Sequence, residues 1–233
     1  MAARPAVATA WSAAGVALAG LFRIAQLVRH PRPIHSRGAL FDASLTWVGG
    51  ADSGIDWVDQ PAGTRQTGVG RVSRSVGLPP ALPDILGLAV RVETPEGPAD
   101  LELSTSGVGV PGRFALMPHL RAEGGWFGTL LPYRGRHGNV MLGARVRLSA
   151  SAVPTSPDER SAGAVGPWLF DLYSAPLTGR WRRFATLELT ATTDADDTTG
   201  LRFDAVRRPL PGAGFAAWHR RVREPSYRAV QGR

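Results

Sequence analysis

The strongest constraint on this chain is a series of short segments in which apolar and polar residues alternate. In "ALFDASLTWV" (39–48), Phe41, Ala43, Leu45 and Trp47 alternate with Asp42, Ser44 and Thr46. A period of two sends one set into a core and the other outward, so the stretch reads as a half-buried strand. "GVGRVSRSV" (68–76) repeats the pattern, with Arg71 and Ser73 on one face and Val72 on the other. "GLAVRVE" (87–93) and "ADLELSTS" (99–106) flank the turn "TPEGP" and read as a hairpin. "NVMLGARVRLSA" (139–150), "WRRFATLELTATT" (181–193) and the short "LRFDAV" (201–206) bring the count to about seven, and "PWLFDLYSA" (167–175) reads as strand or mixed. Its 28 glycines and 19 prolines supply the turns. The strands follow one another without long crossovers, which predicts an antiparallel, strongly curved or closed sheet.

The two ends have a different period. Trp11, Leu18, Phe22 and Ala25 follow helical spacing, which predicts a helix over about residues 8–28. Pro5 to Phe22 carries no charge and is near the length of a membrane span. Alanines together with Thr9, Ser12, Gly15 and Gly20 dilute its apolarity. Docking on the domain is the first reading of this helix, membrane contact the second and a cleaved signal the third. At the other end, Phe215, Trp218 and Val222 form an apolar stripe at i, i+3 and i+7. The expected class is α+β: a curved antiparallel β-barrel core with N- and C-terminal helices. The expected division is an N-terminal helix, 1–29, and one domain, 30–233. "ADSGIDWVDQPAGT" (51–64) reads as an acidic, glycine-rich loop, 113–137 as an irregular aromatic stretch and 151–163 as a polar loop.

Composition removes several function classes. The net charge of +8 is carried wholly by arginine. Those arginines are spread along the chain, with mild clusters at 180–183 and 219–223, which argues against a nucleic-acid partner. There is no cysteine, so disulfides, thiolate nucleophiles and CxxC zinc sites are excluded. The five histidines form no HxH or HExxH pattern, and no GxSxG is present, so a hydrolase ranks last. "GVGVPG" (107–112) formally matches GxGxxG, but Pro111 and Pro118 leave no room for a crossover helix. It reads as a mobile glycine loop instead.

"HPRPIHSRG" (30–38) is cationic and stiff. Pro33 fixes its own φ and pushes Arg32 toward an extended conformation, while Gly38 permits close backbone approach at the start of a strand. Arg32-x-x-His35-x-Arg37-Gly38 resembles the distal-histidine segment of haem catalases. "GRVSRS" is similar to that family's Arg-aromatic-Ser strand. Asp84, Gly87, Ala89, Arg91, Gly97, Asp100 and Leu101 stand at positions matching a further segment of that family, and "REPSY" resembles its Arg-x-x-x-Tyr motif. The matches cover roughly 30–105 and 210–230, in the family's order. The chain is thus similar to a minimal, single-domain member of the catalase-like superfamily.

The resemblance implies haem b, held by Tyr227 as axial ligand to iron and tuned by Arg223. An arginine stabilises a phenolate that would otherwise ionise near pH 10. Arg32 and Arg71 would pair with the propionates. His35 would act as acid/base, oriented by Ser73, and Ser104 would donate a hydrogen bond to the peroxide. Two departures stand out. Ser104 occupies or adjoins the place of the family's distal Asn, so weak dismutation is expected. Pro225 lies between Arg223 and Tyr227, which disturbs a shared helical face. The implied function is a haem-dependent peroxidase or catalase-like enzyme acting on hydrogen peroxide or an organic hydroperoxide. The alternative is a non-catalytic protein of the same fold that binds haem or another flat apolar ligand. A cytoplasmic location follows, with membrane association through the N-terminal helix and homo-oligomerisation as further expectations.

Overall fold

A computed structural model describes residues 37–75, 78–79, 81–148, 167–192 and 201–215. They form nine strands: β1 (Arg37–Trp47), β2 (Arg65–Arg74), β3 (Leu86–Thr94), β4 (Gly97–Ser106), β5 (Trp126–Gly128), β6 (Tyr133–Gly135), β7 (Gly138–Leu148), β8 (Trp168–Pro176) and β9 (Arg182–Ala191). The sheet order is β5-β4-β3-β2-β1-β9-β8-β7-β6, and every pair is antiparallel. β5 also pairs with β7, so the sheet closes into an eight-stranded barrel with β6 as an added hairpin partner of β7. Closure removes the free edges that would otherwise invite aggregation.

The barrel interior takes one face of each strand. Phe41, Ala43, Leu45 and Trp47 of β1 are buried while Asp42 and Ser44 face out, as the alternation requires. Val72, Leu88, Val90, Leu101, Phe127, Leu142, Phe170, Leu187 and Leu189 continue this core around the barrel. Large and small residues interlock across it. A Cβ on Gly70 would stand 2.4 Å from the Leu189 side chain, so the glycine is the space that Leu189 fills. Phe170 stacks on Trp168 and meets Phe127 edge-on, with centroids 5.9 Å apart in both pairs.

Four sequence expectations are corrected. "LRFDAV" (201–206) forms no strand; it is an irregular segment ending in a turn. Its backbone is held by Asp100 and Arg91 rather than by a ladder. The stretch 113–137 contains the short strands β5 and β6, too brief for a period of two to be visible in sequence. The acidic loop 51–64 is part of the core: Ile55, Trp57 and Val58 are buried. Trp57 packs edge-on to Trp47 at 5.2 Å and accepts the Trp47 indole N–H at its carbonyl, 2.8 Å away. Asp59 secures that loop by accepting the backbone N–H groups of Ser53 and Gly54, both at 2.7 Å. The glycine loop 107–112 is closed by backbone bonds, Gly107 N–H to Gly112 O and Arg113 N–H to Gly109 O. The expected terminal helices and the polar loop 151–163 lie outside the described residues. Among those described there is no α-helix, and the short helical turns at Gly112–Phe114 and Ala122–Gly124 are 3-10.

Candidate functional site

The outer face of β2, β3, β4 and β5 is where the sequence motifs converge. Pairing places Ser73 opposite Gly87, Gly87 opposite Ser104, and Ser104 opposite Gly128. Directly paired residues share a face, and all of these lie opposite the core residues Val72, Leu88, Leu103 and Phe127. Ser73 and Ser104 are two strands apart, so their Cα atoms stand roughly 10 Å from each other. Gly87 between them is buried and has no side chain, so this row carries two hydroxyls and no bulky group. The next row on the same face is Arg71, Ala89 and Glu102. Thus Arg71, Ser73 and Ser104 lie on one face of the sheet. Ser73 is 3% exposed.

Gly38 fixes how closely β1 meets this surface. It pairs with Ser73, and a Cβ there would lie 2.8 Å from the Val72 carbonyl oxygen, 2.9 Å from Ser73 Cβ and 3.0 Å from Arg71 Cζ. Any larger residue would displace the Arg71 guanidinium or the strand. The close approach read from "HSRG" is therefore real, and it serves Arg71 and Ser73.

The third row carries a bidentate ion pair. Arg91 Nε and Nη2 donate to the two carboxylate oxygens of Asp100, each at 2.7 Å. Asp100 also accepts the Asp204 backbone N–H at 2.7 Å, and its own N–H donates to the Arg208 carbonyl at 2.8 Å. The Arg91 guanidinium lies 5.0 Å from the Phe203 ring centroid. Bidentate pairing satisfies both charges, which is why the carboxylate tolerates complete burial. Segment 202–208 is thereby clamped over one end of the small-residue floor. Arg91 and Asp100, matched in sequence to the family's segment, form this clamp.

Trp126 walls the other end. A Cβ on Gly143 would lie 2.6 Å from its Cζ2, so the indole lies flat across that glycine. It also contacts Tyr173 and Trp181, at 5.2 and 4.7 Å between centroids. Its buried Nε1 has no hydrogen-bond partner among the described residues. Tyr173 follows the core residue Leu172, so the period of two turns it outward, where it meets Trp126.

Three residues escaped sequence reading. Glu102 stands two positions before Ser104, so the period-two rule puts it on the same face. Trp126 sits in a strand of three residues that carries no periodic signal. Arg74 was passed over beside Ser73: it is buried, its Nη2 donates to the Leu82 carbonyl at 2.6 Å, and its Nε is 3.7 Å from Asp84. Asp84, matched in sequence to the family, accepts the Leu78 N–H and so closes the β2–β3 turn. His35, Arg32, Arg223 and Tyr227 lie outside the described residues. Among the described residues no three His, Asp or Glu side chains group into a metal site. No described helix is long and apolar enough to cross a membrane.

No protein-family model and no curated protein matches the sequence. Solved structures do match. A fungal catalase superposes with a TM-score of 0.55 at 13% identity, over 93% of this chain and 59% of that one. Catalase A from Saccharomyces cerevisiae gives 0.58 at 11%, over 84% and 59%. A bacterial catalase gives 0.54 at 12%, over 89% and 61%. The chain spans about three fifths of the length of these catalases. Sequence motifs and backbone likeness agree, and the protein has a catalase-like fold.

Proposed function

We propose that the protein is a haem-dependent, peroxidase- or catalase-like enzyme acting on hydrogen peroxide or an organic hydroperoxide. The observation that carries this reading is the row Ser73–Gly87–Ser104 with Arg71 beside it. Residues named from separate sequence segments fall on one face of a fold shared with catalases. The residues present suit haem b: a flat macrocycle needs a floor without bulky side chains, which Gly87 and Ala89 give, and a carboxylate partner, which Arg71 gives. Haem, when bound, supplies the iron that promotes cleavage of the peroxide O–O bond.

The chain's own residues would then divide the remaining work. Arg71 and Arg32 pair with the propionates. Tyr227 would hold the iron through its phenolate oxygen, and Arg223 would favour that anionic form. His35 takes a proton from one peroxide oxygen and returns it to the other. Ser73 accepts or donates one hydrogen bond to hold the His35 imidazole in a single orientation. Ser104 donates a hydrogen bond to the peroxide. The roles of His35, Arg32, Arg223 and Tyr227 rest on their offsets in the sequence.

Ser104 also favours a second reading. A hydroxyl replaces the amide of the catalase motif, and its reach is shorter, so the same surface would serve a protein that binds haem or another flat apolar ligand without turnover. Steady-state oxidation of a co-substrate by an organic peroxide, measured on haem-loaded protein, separates the two. Measurable turnover with weak dismutation supports the enzyme; saturable haem binding without turnover supports the binder. In the first case Ser104→Asn raises dismutation, and an unchanged rate places the limitation elsewhere.

A further inference from the structure

We propose that the barrel edge built from the β4–β5 connection and the β8–β9 turn docks on a lipid bilayer bearing anionic headgroups. Six large apolar side chains are exposed among the described residues: Val48, Leu82, Val108, Val110, Met117 and Leu120. Four of these lie within the β4–β5 connection, and Leu82 adjoins it because Asp84 pairs with His119. Scattered apolar exposure is ordinary, but concentration along one connection is not.

The tip is held out by specific bonds. Val108 and Val110 are each 52% exposed. Gly107 N–H donates to Gly112 O at 3.0 Å, closing the loop on itself. The Trp181 indole N–H donates to the Val108 carbonyl at 2.9 Å. Arg113, buried, sits 4.8 Å over the Trp181 ring and donates to the carbonyls of Pro176, Leu177 and Gly179. Burial lowers its guanidinium pKa from the ordinary value, a cost met by those three acceptors and the indole face. The loop and the turn 177–181 are therefore one body, and the valines cannot fold inward without breaking it.

Charge selects the partner. Arg180 and Arg182 are exposed on that turn and Arg121 on the connection. Glu123 is the single acid in residues 107–125, and 177–182 contains none. A few half-exposed aliphatic side chains fall short of the roughly 800 Å² per partner that a standard protein interface buries. A bilayer needs less: apolar anchors that enter the acyl boundary and cations that meet the headgroups. Each arginine near an anionic surface strengthens attachment by roughly five-fold at moderate salt.

The absence of cysteine makes the test site-specific. Val110→Cys in the full chain, labelled with an environment-sensitive dye and checked by circular dichroism, is mixed with phosphatidylcholine vesicles with and without phosphatidylglycerol. The expected result is a blue shift with the anionic vesicles, lost at high salt. In Arg180→Gln/Arg182→Gln the midpoint moves to roughly ten-fold or more lipid. No shift overturns the proposal even if the protein co-sediments through another segment. An unchanged midpoint in the arginine variant overturns it too. A shift that grows with protein concentration in the absence of lipid assigns the surface to a second copy of the chain and overturns it as well.

Discussion

The two sides of the barrel treat the same outward-facing positions in opposite ways. On β1 and β9 the outer residues are Asp42, Ser44, Glu188 and Thr190, all exposed. With Thr67, Gly68, Val69 and Glu93 they line an open groove of about 650 Å³. On β2, β3 and β4 the outer residues include Ser73, Gly87 and Asp100, all buried. A sheet face that meets water needs no special partners, since water satisfies it. A buried polar face must satisfy every group internally, which costs sequence freedom. The bidentate Arg91–Asp100 pair and the buried Gly87 show that constraint, and the exposed Asp42, Ser44, Glu188 and Thr190 do not. That groove is thus the less built of the two surfaces.

That contrast fixes the expected order of mutational effects. Asp100→Ala should be the most damaging, because it strands Arg91 and releases segment 202–208; about 3–5 kcal/mol is expected in urea unfolding. Asp42→Ala, on the open side, should stay within about 0.5 kcal/mol. Equal effects would erase the distinction between the faces. Gly38→Ala should cost about 1–3 kcal/mol, since its Cβ meets Val72 O and the Arg71 guanidinium. Gly109→Ala meets nothing within 4 Å and should be neutral or gain up to about 1 kcal/mol through the unfolded chain. The smallest pair is Ser73→Ala, expected to lose about 1–2 kcal/mol as a buried hydroxyl is removed, against no change for Ser44→Ala. Thermal melts of the two variants side by side measure it.

Much of the barrel was legible because long strands repeat the period-two signal over enough residues to be unambiguous. β1, β3, β4, β7 and β9 fall where the alternation puts them, and Thr94 opposite Gly97 confirms the turn. β5 and β6, three residues each, carry no period, and "LRFDAV" alternates without a partner strand. The loop around Trp57 was read by its acids, although its apolar residues plug the core. At the site, the period placed Arg71 and Ser73 on one face, but the union with Ser104 depends on register. Register is a property of pairing between strands, so no single segment states it. Glu102 and Trp126 belong to that surface for the same reason, and Arg74 was hidden by its neighbour's motif.

The proposed cofactor is tested most directly by titrating haemin into the purified protein and following the Soret band, in wild type, Arg71→Gln and Tyr227→Phe. The expected result is saturable binding at one haem per chain in wild type. Arg71→Gln should bind roughly ten-fold more weakly, the loss of one charge-assisted pair. Tyr227→Phe should give an altered spectrum as the anionic ligand is removed. Unsaturable absorption in wild type, or identical affinity and spectrum in all three proteins, would contradict a haem site on the outer face of β2–β5.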